Sequence, residues 1–140
     1  MQEQIIYNIP PISLDSLNRR YPALRLDGIA INILIDIRKA DVKEVITSYR
    51  HRKHTLIHPT FSSDKADFVK WIPEIRKMGL SIWLNALWPE HNGGHDDDMA
   101  VEKSMPDQAW GWLIATGASV IQTDRPKELL LYLKSTKHHH

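Results

Sequence analysis

A chain of 140 residues with 42% hydrophobic side chains suits one domain with an ordinary core. The 18 Lys and Arg against 17 Asp and Glu leave a net charge of +1, and no segment gathers a basic stripe of the kind that binds nucleic acid. Cysteine is absent, which excludes disulfides, thiolate metal sites and a cysteine nucleophile.

In chain order, the opening Met1-Gln-Glu-Gln-Ile-Ile-Tyr has no basic leader pattern, and no apolar run is long enough to span a bilayer. The chain therefore reads as soluble, with its compartment open. Short β-branched runs predict strands at residues 5–9, 29–35, 55–58, 81–87 and 119–122. A short helix is possible between Ser13 and Arg20. Asp41 with Glu44 three residues on reads as a capping box for a helix that buries Val42, Val45, Ile46 and Tyr49. This helix is expected to extend through His51. The next helix starts near Asp64, places Phe68, Trp71, Ile72 and Ile75 on one side and ends at Gly79, with Pro73 as a kink or the true start. Asp107 is expected to cap a helix that stops at Gly117, and a last helix begins with Asp124 near its cap and Pro126 in its first turn. Alternating strands and amphipathic segments predict an α/β fold, a parallel sheet of about five strands with covering helices, as one domain over residues 1–137. His138, His139 and His140 read as a tag remnant and are set aside.

Several ordered motifs, Ile75-Arg-Lys-Met-Gly79, Trp83-Leu-Asn-Ala-Leu-Trp-Pro-Glu90, Gly93-Gly-His-Asp-Asp-Asp98, Ala109-Trp-Gly-Trp-Leu113 and Ile121-Gln-Thr-Asp-Arg-Pro126, resemble the last strands of glycerophosphodiester phosphodiesterases. The resemblance covers residues 59–133 and is faint before Pro59. It implies the C-terminal half of a TIM barrel, a fold that takes about 250 residues for eight strands. It also implies phosphoric diester hydrolysis in lipid and glycerol metabolism, yielding glycerol 3-phosphate and an alcohol, with a divalent cation, Mg²⁺ or Ca²⁺, in the intact enzyme. The family's His-Arg-Gly and Glu-x-Asp motifs have no counterpart here, so no catalytic residue carries over and the chain alone is expected to be inactive. What carries over is substrate-facing: Trp83, Asn85, Thr123 and Arg125.

Each of these has an ordinary alternative. Trp83 and Asn85, at i and i+2, share one strand face and could flank a ligand, or could be a packed indole and a satisfied amide. Arg125 could grip a phosphoryl group beside a helix N-terminus, whereas Asp124 reads better as a cap. His91, His95, Asp96, Asp97 and Asp98 form a metal-like cluster, although a solvated loop is the preferred reading because Mg²⁺ and Ca²⁺ need six or more oxygens in a defined shell. His54 and His58 fall on one face of a predicted strand and read as ordinary core or surface histidines. Of Trp110 and Trp112, one is expected in the core and the other free for a neighbour. Open sheet edges predict a homo-oligomer. The expected partner is a small phosphodiester in an intact protein, with no nucleic acid and no membrane span. The competing expectations are a non-catalytic binding or assembly module, and a hydrolase with a new site built on His91, His95 and the three aspartates.

Overall fold

The computed structural model describes residues 5–25 and 28–136; the tag-like tail lies outside them. Its elements are β1 (Ile6–Ile9), α1 (Leu14–Arg20), β2 (Ala30–Asp36), α2 (Val42–Ser48), β3 (Thr55–Thr60) and α3 (Asp67–Lys77). Then come β4 (Ser81–Asn85), α4 (Asp97–Val101), α5 (Trp112–Thr116), β5 (Val120–Gln122) and α6 (Pro126–Thr136). The five strands pair in parallel in the order β1-β2-β3-β4-β5, so each strand lies beside its sequence neighbour.

That order determines where the helices go. Parallel crossovers are right-handed almost without exception, so a strand order that never reverses places every connecting helix on the same side. Burial agrees. Along β2 the side chains alternate across the sheet: Ile31, Ile33 and Ile35 are sealed among the helices, whereas Leu34 between them is 51% exposed. Ile57, Ile82 and Leu84 continue the sealed side and meet Leu17, Ile46, Ile72, Ile75 and Leu113 from the helices. Each fully buried aliphatic side chain of this kind contributes roughly 1.5–3 kcal/mol. The result is the architecture of half a barrel, with helices outside and a face free of helices within. No helix among the described residues is long and apolar enough to cross a membrane.

All five predicted strands are present, as is the short helix after Ser13, whose hydroxyl accepts from the backbone N–H of Ser16. Gly79 ends α3 at φ +83° and Gly117 ends α5 at φ +128°, both left-handed positions that favour glycine. Other expectations need correction. Asp41 precedes α2 without making a side-chain cap, because its backbone (φ −96°, ψ 10°) is not the extended conformation that capping requires. α2 ends at Ser48, and His51 (φ +65°) and His54 (φ +55°) sit in the turns before β3 rather than in a helix or strand. α3 runs through Pro73, and Ala66 rather than Asp64 precedes it. The helix expected from Asp107 opens as a π-helical turn, Asp107–Gly111, before becoming α5, and Asp107 makes no cap; its carboxylate instead accepts from the Tyr132 hydroxyl at 2.8 Å.

Candidate binding site on the helix-free face

The strand registers arrange the helix-free face in rows. Asn8 stands beside Asn32, which stands beside Leu56; one row nearer the carboxyl ends, Leu34 stands beside His58. The outermost row pairs Asp36 with Thr60 and Asn85 with Gln122. The carboxyl ends of parallel strands are where barrel enzymes build their sites. Here a cavity of about 540 Å³ opens over them, lined by Leu34, Asp36, His58, Thr60, Asn85, Gln122, His91 and Pro11.

His58 is the centre of this face. It is 7% exposed and stacks on Trp83 with centroids 5.5 Å apart and planes within 19°. The Asn32 side-chain N–H₂ donates to Asn8 Oδ1 at 3.1 Å and lies 3.3 Å from His58 Nδ1. With the Asn32 N–H₂ turned to it, Nδ1 acts as acceptor, and the ring proton is then on Nε2. Among the described residues Nε2 has no partner, and neither has His91 Nδ1. Buried polar atoms without partners are uncommon in folded proteins. Burial and the neighbouring His91 hold the His58 pKa down to about 4 from 6.5.

That shift predicts a pH effect. Because the unfolded chain takes up the proton more readily, stability is unaffected above about pH 6.5 and falls progressively as pH drops from there to about 4, by up to about 3 kcal/mol. Urea unfolding at pH 7 and pH 4.5 should show the loss, and His58→Gln should lack that part of it.

The rim loop after β4 is held by the chain itself. Phe61 bridges to Asn92, the Gly93 N–H donates to the Phe61 carbonyl at 2.9 Å, and the Asn92 side chain donates to the Asn85 carbonyl at 2.8 Å. This loop carries His91 to the cavity. The Trp88 ring meets His91 edge-on at 5.5 Å from outside.

The sequence-predicted residues divide between two places. Trp83 and Asn85 do share the open face: the Trp83 indole N–H donates to Gln122 Oε1 at 3.1 Å and Asn85 Oδ1 accepts from the Leu87 N–H at 2.8 Å. Thr123 and Arg125 lie outside the cavity lining. The Thr123 hydroxyl donates to Asp97 and accepts from the Arg125 N–H, while the Arg125 guanidinium pairs with Glu102 at 3.0 Å and Glu128 at 3.5 Å. The metal-like cluster is dispersed among structural tasks. Asp96 caps α4 by accepting from the Met99 N–H, and buried Asp97 accepts from Trp110 Nε1, Thr123 and the Asp124 N–H. His95 stacks on Trp112 at 3.8 Å and bonds Asp64. Among the described residues no group of three or more His, Asp or Glu converges to hold a cation, so the side chains described do not form a Mg²⁺ or Ca²⁺ shell. Trp110 is the core tryptophan of the pair, and Trp112 meets His95 and Phe61.

Asn32, Asp36, Thr60 and Gln122 belong to no site motif in the sequence, and His58 reads there as an ordinary histidine. The usable signal was the period of two: Asn32, Leu34 and Asp36 fall on one face of β2, and Leu56, His58 and Thr60 on one face of β3.

No curated protein matches the chain. A family model does match, over residues 32–133, which takes in β2 through α6 and therefore nearly every residue of the cavity. The chain belongs to DUF4996, a family described as a domain of unknown function.

Proposed function

We propose that this chain forms the substrate-binding, C-terminal half of a glycerophosphodiester phosphodiesterase-like barrel and does not hydrolyse the diester by itself. One observation carries the reading: in a sequentially ordered parallel sheet with helices on one face, Asn85 ends its strand in the lining of a cavity, with Trp83 two residues before it on the same face. In this reading the acid, the base and the cation are supplied by residues other than those described, and Trp83, Asn85 and the rim position the substrate. Arg125, bound by two glutamates, serves the fold of the rim before any ligand. The open edges at β1 and β5 are where the remaining strands, or a second copy of the chain, would pair.

A non-catalytic binding module is the second reading. It is favoured by the carboxylates near the cavity being already committed, Asp36 to Arg38 at 2.7 Å and Asp97 to Trp110 at 2.8 Å. The experiment is release of glycerol 3-phosphate from a glycerophosphodiester by the purified chain with Mg²⁺ or Ca²⁺, with a chelator control, alongside amide spectra with the same diester. No turnover, with perturbed amides at Trp83 and Asn85, is expected. Metal-dependent turnover would contradict the division of labour, and silent amides at both residues would remove the substrate-binding role.

A further inference from the structure

We infer that the cavity at the carboxyl ends of β2 to β5 is a binding site for an uncharged, cyclic polyhydroxylated molecule, a sugar or cyclitol, with His58 Nε2–H as its buried donor. The inference rests on the cavity of this chain and goes beyond the phosphodiesterase reading; where both hold, the cyclic polyol is the alcohol part of the diester.

Three features of the site select the ligand class. The first is the His58 tautomer. With Nδ1 accepting from the Asn32 amide, Nε2 carries the proton, and a buried N–H without a partner calls for an oxygen acceptor rather than a metal. The second is charge. Thr60, Asn85 and Gln122 offer a hydroxyl and two carboxamides, and both amide N–H₂ groups remain uncommitted, since only the carbonyl oxygens of Asn85 and Gln122 are used. The ionised group in the row is Asp36, held to about pKa 2 by its hydrogen bonds from Arg38, and that arginine is taken up by the same pair. A buried anion needs a partner charge, and here it would meet a carboxylate with no uncommitted cation in the lining. Hydroxyl groups fit this set, accepting from His58, Asn85 and Gln122 and giving or taking a hydrogen bond at the Thr60 hydroxyl. The third is shape. Neighbouring strands lie about 4.8 Å apart, so a row across β2 to β5 spans roughly 14 Å. The cavity of about 540 Å³ gives a ring room to lie across this row.

The test is amide chemical-shift mapping on the full chain at pH 7 with myo-inositol and methyl β-glucoside, against inorganic phosphate and Ni²⁺ as the alternative probes. Saturable perturbations centred on Thr60, Asn85 and Gln122 with at least one cyclic polyol are expected, at least tenfold tighter than any effect of phosphate. Thr60→Val deletes one rim hydroxyl with little change of shape and should weaken binding about tenfold, near 1.4 kcal/mol. His58→Phe keeps the stack on Trp83 without the Nε2 donor and should weaken it further; Thr60→Val keeps the test decisive if His58→Phe does not fold. Equal or tighter binding of phosphate, Ni²⁺ bound at His58, or no rim perturbation by either polyol would each overturn the inference. None of these outcomes depends on diester turnover, so the two readings fail separately.

Discussion

Replacing Asp97 with alanine should be among the most damaging single changes in this chain, with a loss of about 3–5 kcal/mol and a fall in melting temperature of roughly 10–20 °C. Asp97 is 4% exposed and opens α4, yet its carboxylate serves two other segments. Oδ1 accepts from Trp110 Nε1 at 2.8 Å in the turn before α5. Oδ2 accepts from the Asp124 N–H at 2.8 Å in the turn after β5. The Thr123 hydroxyl lies 2.9 Å from both oxygens. Removing the carboxylate leaves a buried indole N–H and a backbone N–H without acceptors, and a donor left unsatisfied costs more than a bond is worth when made. Asp97→Asn keeps one acceptor oxygen but presents an N–H₂ to donors on its other side, so about half the loss is expected. Urea unfolding of both variants decides it. If Asp97→Ala lies within about 1 kcal/mol of the parent, the carboxylate is not the tie between α4, α5 and the β5–α6 turn.

Gly93→Ala is the second large effect, and Gly94→Ala is its control. Both glycines have positive φ, +69° and +94°, so both substitutions carry left-handed strain of roughly 1 kcal/mol. Their surroundings differ. A Cβ at Gly93 would lie 2.5 Å from the backbone nitrogen of Asp64 and 3.0 Å from its Cα, whereas Gly94 has nothing within 4 Å. Backbone cannot step aside as a side-chain tip can. The loop after β4 must move away from the segment after β3, straining the Gly93 N–H bond to Phe61 and the 2.9 Å contact of His95 with Asp64. A loss of about 2–4 kcal/mol is expected for Gly93→Ala, and about 1 kcal/mol for Gly94→Ala. Because this loop carries His91, Gly93→Ala should also shift the amides of the rim. Equal stability of the two variants in denaturant melts would show that close approach at Gly93 is not what holds the loop.

The sheet was legible because its strands are β-branched runs bounded by turn residues, and because alternation with amphipathic segments specifies parallel pairing. Strand alternation also placed Trp83 and Asn85 together on one face. The rest of the site was harder to read because its meaning lies in partners far along the chain. His58 is defined by Asn32, 26 residues away, and by Trp83 on the next strand. Asp97 reads locally as one of three acidic residues in a glycine-rich loop, yet its partners are 13, 26 and 27 residues away. The same density of acidic residues concealed α4, a helix of five residues with its cap at Asp96. The apparent capping box at Asp41 failed in the other direction: the right letters stood at the right spacing, on a backbone that did not adopt the required conformation. Arg125, open between ligand and structure, is drawn to Glu102, a residue of the loop after α4 that no local pattern connects to it.

The helix-free face presents a buried, neutral donor at its centre, and the ring of His58 reports on it directly. Two-bond ¹⁵N–¹H correlation spectra of the histidine rings at pH 7 distinguish the tautomers, and a titration to pH 4 follows the same signals. The expected result is a neutral His58 protonated at Nε2 that remains neutral to about pH 5. A ring protonated at Nδ1, or one that titrates near 6.5 like an exposed histidine, would contradict it.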